Sequence, residues 1–381
     1  MNRKIWRLAG TLMLVLSLIL LISGAAWAKD TAQLDYADIA LRVPGENKNL
    51  DIMQRSLPIL QKARDELSDI KDSTKGSSQA LARLGQSYNN ILMNPEISMD
   101  EKQLAGFMLQ SMSMSQMSAG SISLDGINLQ VEQLRIQIPQ TEARLINSGQ
   151  MLFITYHQLQ DAINKMRSGR ALLEESLRLA KTQQSAGVGT ALAVSEAELA
   201  LAELDTGIRQ LESQCAQLLN QLKLTVGWPQ VQIIKLGSIP KPNREFLGKT
   251  VLSEDTQSAC DNSYTLKLKQ AEHKYTDNDD QKRIITLTIE AQKEQIALAL
   301  STQYHKMADA NNTLLLEEQR LVVAEQKVKQ SRLQHQVGLM AEIALQAEEN
   351  SYKTQQDAVK TAMDALFWEI ENYKAIVAGL N

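Results

Sequence analysis

Four histidines, two cysteines and two closely spaced glycines are the residues of this chain best suited to chemistry, and their spacing decides what they can do. His157, His273, His305 and His335 are dispersed over segments that read as helices, with no metal-ligand spacing among them. No His–Asp–Ser arrangement and no paired-carboxylate motif accompanies them, so the chain is read as a non-enzyme without metal or cofactor. Cys215 and Cys260 are too few for a metal cage or a disulfide-stapled fold. Cys215 also falls on an apolar helical seam, where a thiol packs rather than attacks. The glycines Gly187 and Gly189 open the stretch AGVGTALAVSEAELALAELDTG at 186–207. A phosphate cradle there would need a preceding strand and further glycines. A helical pattern precedes them instead, so the glycines read as a turn between two long helices rather than as a nucleotide loop.

The elements that hold this turn are long. Between 127 and 184, Val131, Leu134, Ile138, Leu145, Leu152, Leu159, Met166 and Leu173 alternate with the small residues Thr141, Ser148, Thr155, Ala162, Gly169 and Ser176 at spacings of three and four. That is the heptad seam of a supercoiled helix. Beyond the glycines the seam restarts at Val194, Ala197, Leu201, Leu204, Ile208, Leu211, Cys215, Leu218 and Leu222, and stops at Gly227, Trp228 and Pro229. VQIIKLGSIP at 231–240 reads as a short strand and the stretch to Thr250 as loop. A second periodic segment runs from about Gln281 to Gln336 through Leu300, Met307, Leu314, Leu321 and Val328. RIITLTIE lies at its start and is read as helix despite its β-branched residues. A final helix carries Tyr352, Val359, Leu366 and Tyr373 and ends near Gly379.

Segment 186–198 matches 336–349 in pattern, a glycine followed by an apolar ridge, with Gly187 and Gly338 standing 151 residues apart. The fold class is therefore all-α: long antiparallel coiled-coil hairpins, about 80 Å long, with an internal duplication and at most minor β structure. Gly187 is expected to relieve backbone crowding at the first turn. The domains are a signal peptide at 1–28, a first repeat at 29–240 with a Met-rich insertion at 94–126, and a second repeat at 241–381. Only 4% of the residues are aromatic, which argues against a thick globular core, and the net charge of −4 gives no reason to expect nucleic acid.

The N-terminus has Arg3, Lys4 and Arg7, an apolar run from Leu12 to Ile22, then Ala26, Trp27 and Ala28, the pattern of an export signal cut after Ala28. Cleavage removes those three cations and takes the charge from −4 to −7. The other reading is an uncleaved anchor, since Leu8 to Trp27 just reaches spanning length. Either way the destination is the cell envelope, with membrane association.

These features together resemble the outer membrane efflux protein family, the TolC-like ducts. Gly187, Val188, Thr190, Leu192, Val194 and Ala197 match its first tip pattern. Gly338, Leu339, Ile343 and Leu345 match the second, with Glu348 where alanine is expected. LDYADIALRVPGENKNL at 34–50 is similar to its opening helix. The resemblance implies a homotrimer surrounding an envelope-spanning channel. It also implies a periplasmic-type adaptor contacting the tip turns at Gly187, Val188, Gly189, Thr190, Gly338, Leu339 and Met340, and an inner-membrane pump. Ala193 and Ala344 replace the acidic residue often present in the tip helix.

The family's membrane barrel takes a strand pair from each half, and strands of that kind need about nine to eleven residues each. In the second half only TDNDD at 276–280 stands there. In the first, Met108, Met112, Met114 and Met117 with Phe107 and Leu109 form an apolar patch that either covers the end of the bundle or docks on a partner or membrane surface. The function read from the sequence is a TolC-like duct component of an export or efflux assembly, with a separate anchor or pore partner. The alternative is a non-conducting structural coiled-coil envelope protein.

Overall fold

The computed structural model describes residues 32–72 and 124–380, so the signal segment and nearly all of the Met-rich insertion lie outside the described residues. The chain runs β1 (Ala32–Leu34), α1 (Tyr36–Glu46), α2 (Lys48–Asp72), α3 (Leu124–Ser185), α4 (Ala191–Thr225), β2 (Ile234–Leu236), α5 (Phe246–Lys249), α6 (Leu252–Asn262), α7 (Tyr264–Lys274), α8 (Asp279–Gln336) and α9 (Glu342–Val377). It is an all-α fold of two long helical hairpins, α3/α4 and α8/α9. The one-turn α5 falls where loop was expected, and RIITLTIE is helix. The described strands form a two-stranded parallel sheet, Ala32 opposite Ile234 and Leu34 opposite Leu236.

The hairpins are shorter than 80 Å. Although α3 has 62 residues and α8 has 58, the returning α4 and α9 have only 35 and 36, which limits antiparallel pairing to about 50 Å. The base of α3 packs instead on α1, α2 and α7.

The expected seams of α4, α8 and α9 are buried or half-buried along their length. On α3 one line of the seam differs. Leu159 and Met166 face α4 as expected, but their companions are Tyr156 and Ile163 rather than Thr155 and Ala162, packed on Leu204, Ile208, Leu211 and Cys215. Tyr156 and Ile163 carry more apolar surface than the small residues beside them, so burying them gains more. Ser148 and Ser176 are exposed.

All four long helices end on a left-handed glycine: Gly187, Gly227, Gly338 and Gly379, with φ between +74° and +93°. Each end is a Schellman turn. Val188 N–H donates to the Gln183 carbonyl and Gly187 N–H to that of Gln184, and Leu339 and Gly338 repeat this on Gln334 and His335. At Gly187 and Gly338 an added Cβ would meet nothing within 4 Å, so their requirement is conformation and not the crowding expected at Gly187. Crowding belongs to Gly189, where a Cβ would lie 2.7 Å from the Gln184 nitrogen.

The other two glycines are both left-handed and enclosed. A Cβ on Gly227 would sit 1.9 Å from the Glu46 carbonyl oxygen, and one on Gly379 would sit 2.3 Å from that of Asn262. Each glycine thus docks its helix end onto the junction of two earlier helices, α1/α2 or α6/α7. Asn47 serves the first junction twice: its Oδ1 accepts from Leu50 N–H at 3.1 Å and its Nδ2 donates to the Thr225 carbonyl at 2.9 Å. At the second junction the tasks are divided. Asn262 Nδ2 donates to the Val377 carbonyl at 2.9 Å, and Ser263 Oγ caps Leu266.

Gly187→Ala should therefore cost about 1–2 kcal/mol from the left-handed backbone alone. Gly227→Ala, which adds a collision with Glu46, should cost at least twice that. Thermal or urea melts of the two variants check the order, and equal losses would remove the docking argument.

Candidate functional site

The sequence-predicted tip residues occupy the two hairpin turns. At the first, Val188 is 80% exposed and Thr190 caps α4, its Oγ1 accepting from Ala193 N–H at 3.1 Å. Gly189 N–H adds a further bond to the Gln183 carbonyl at 2.9 Å. At the second, Leu339 is 81% exposed and Val337 68%. Met340 stands in the place of Gly189, and Ala341 gives α9 no side-chain cap. His335 closes this turn instead: its Nδ1 lies 3.0 Å from the Met340 carbonyl and its Nε2 3.1 Å from a Glu342 carboxylate oxygen. A carbonyl only accepts, so Nδ1 carries the hydrogen. Both turns thus present an exposed apolar side chain on a hydrogen-bonded backbone.

A second site was not visible in the sequence. Tyr36 wedges between the hairpins, its ring edge-on to Phe153 of α3 at 5.9 Å and to Phe367 of α9 at 5.0 Å, and its hydroxyl donates to Glu371 at 3.3 Å. Burial raises the Tyr36 phenol well above its ordinary value. Farther along the same two helices, Lys360 Nζ pairs with both oxygens of Asp161 at 2.7 and 2.8 Å and ties α9 to α3. Between these contacts and the segment after β2 lies a cavity of about 650 Å³ lined by His157, Leu236, Ile239, Lys360, Met363 and Asp364, among others.

Two of its groups are perturbed. Burial pushes the Asp364 carboxyl up to about 6, with Lys360 pulling it down and Asp161 pushing it up. Burial also lowers His157, against a raising hydrogen bond with the Gly237 backbone. The buried His157 Nε2 has no hydrogen-bond partner among the described residues. His157 and Asp364 come from opposite halves of the chain, and no local spacing links them. No group of three or more His, Cys, Asp or Glu among the described residues is placed to hold a metal. Cys215 is buried on its seam, and burial raises its thiol.

No family model matches the chain, and no curated protein matches it. Several solved structures do. A membrane protein from Pseudomonas aeruginosa is 12% identical with a TM-score of 0.44, the match covering 90% of this chain and 93% of that one. The outer membrane protein VceC from Vibrio cholerae is 11% identical with a TM-score of 0.42, covering 91% and 97%. The CmeC outer membrane channel of Campylobacter jejuni is 10% identical with a TM-score of 0.37, covering 87% and 86%. With TM-scores below 0.5, the functional reading rests on this chain's own geometry.

Asp364 also gives a stability prediction. Its folded value of about 6 lies above the ordinary carboxylate value, so the folded state is penalised at neutral pH and relieved as pH falls through about 6 toward 4. Removing the charge in Asp364→Asn should stabilise the protein at pH 7.5 by on the order of 1 kcal/mol after solvent screening. The gain should vanish by about pH 4. His157 works in the opposite direction, losing stability as pH falls below its ordinary value, so the comparison is between variant and parent at each pH. Urea melts at pH 7.5 and 4 check it, and an undiminished gain at pH 4 would contradict the burial argument.

Proposed function

We propose that this chain is a TolC-like helical duct component of an envelope export or efflux assembly, similar to outer membrane efflux proteins. The repeats are 29–240 and 241–381, and the working unit is a homotrimer. The turns at Gly187, Val188, Gly189 and Thr190 and at Gly338, Leu339 and Met340 meet a periplasmic-type adaptor that serves an inner-membrane pump. The observation that carries this reading is the duplicated hairpin, each copy of which leaves leucines uncovered along its helices. Leu172, Leu179 and Leu199 on the first hairpin, and Leu298, Leu316 and Leu333 on the second, are each more than two-fifths exposed. Copies arranged in a closed ring would cover such surfaces repeatedly. The number three comes from the family resemblance.

Attachment to the membrane belongs to another component or to the N-terminal segment. Helix α7 ends at Lys274 and α8 begins at Asp279, so the link at 275–278 has four residues where a strand pair would need about twenty. No described helix is long and apolar enough to cross a membrane. Spanning strands must also close on one another to satisfy their backbone groups.

Light scattering of the mature protein should give about three times the protomer mass, and a monomer persisting at all concentrations would overturn the ring. In that trimer, Val188→Asp with Leu339→Asp should abolish cross-linking from Thr190 to the adaptor while leaving the mass unchanged. In planar bilayers the pure mature chain should produce no stable conductance steps. Reproducible large channels would show that it builds a pore unaided.

A further inference from the structure

The cavity between the hairpins has a partly apolar wall and a basic edge. Its inner wall is partly buried and apolar, from Leu236, Ile239 and Met363, with the His157 ring beside them. Lys235, Lys241 and Lys360 stand at its exposed edge. Lys360 is committed to Asp161, but Lys235 and Lys241 have no ion-pair partner among the described residues. Beside the two unpaired ammonium groups, Lys235 and Lys241, the lining has one carboxylate, Asp364, with Asp35 next to Gly237 and Asp161 held by Lys360. At about 650 Å³ the volume falls within the range of small-molecule sites.

The backbone also bears on the wall: Gly237 is hydrogen-bonded to the Leu34 carbonyl at 2.9 Å, and a Cβ there would lie 2.0 Å from Asp35 Oδ1. This part of the wall is held by β1 and cannot collapse inward by a simple side-chain rotation.

We propose that this cavity binds an organic carboxylate with a compact apolar body, the body against Leu236, Ile239 and Met363 and the anionic group toward Lys235 and Lys241. The inference is independent of whether the chain is a duct. The titratable and charged groups around the site are His157 and Asp161 on α3, Lys360 and Asp364 on α9, Lys235 and Lys241 around β2, and Asp35 beside Gly237. Acidification through about 6 neutralises Asp364, which favours an anion, while burial holds His157 below the ordinary imidazole value. Affinity should therefore rise as pH falls from 7.5 to 5.5.

Calorimetry with the full mature chain and 2-naphthoate provides the test, with 2-naphthalenemethanol as the uncharged counterpart and acetate as charge without a body. The expected result is one saturable site per chain for 2-naphthoate, with the alcohol at least tenfold weaker and acetate silent. Lys235→Gln with Lys241→Gln, both at exposed positions, should weaken 2-naphthoate at least tenfold with an unchanged melting temperature. Asp364→Asn should strengthen it at pH 7.5 and reduce the pH dependence. Equal affinity for acid and alcohol, or for parent and double lysine variant, would mean adsorption on the exposed leucines and would overturn the proposal, as would the absence of saturable binding.

Discussion

Two helices laid side by side bury one seam and no more, and the rest of this structure depends on that constraint. Each hairpin is a single such pair over its outer length, so its apolar residues divide into one buried line and a scatter of exposed ones. Cross-hairpin ion pairs such as Arg170–Asp205 at 2.6 Å and Arg332–Glu349 at 2.9 Å flank the seam. The first is half-buried and the second solvent-exposed, and neither is sealed from water, so each contributes little and the seam is the main cohesive term.

The thick part of the molecule lies where the helices converge. Tyr36, Ile39 and Val43 of α1 fill the gap among Phe153, Leu222 and Phe367, contributed by three different long helices. Around this cluster the chain closes its helix ends without exposing them. Gly227 and Gly379 bring the returning helices onto the backbone of Glu46 and Asn262, and the asparagine amides take up the last helical carbonyls. The second half reaches the same arrangement with two residues where the first uses Asn47 alone, so backbone geometry is retained while side-chain assignment varies. The cavity lies beside this cluster, where Leu236 and Ile239 pack on it and the Lys360–Asp161 pair joins the two hairpins.

The same division separates what was legible in the chain from what was not. Helix, seam and turn follow from neighbours three to seven residues apart, so Val194 to Leu222, Leu300 to Val328 and the turns at Gly187 and Gly338 could be read directly. Where two candidate lines lay one residue apart on α3, periodicity could not choose between Ala162 and Ile163. The choice fell to the helix that packs opposite, which buries the larger side chain. The length of paired hairpin likewise depended on where α4 and α9 end against α1 and α6, not on the length of α3 or α8.

The cavity and its perturbed groups had no local signature at all. His157 is one of four scattered histidines and Asp364 one of many acidic residues. Each became distinctive only when α3, α9 and the segment after β2 converged and excluded water from them. Local sequence was sufficient for elements whose forces act within a helical turn or two. Long-range packing decided the Tyr36 wedge, the docking of Gly227 and Gly379 and the environment of Asp364, because burial and desolvation come from atoms more than a hundred residues away in the chain.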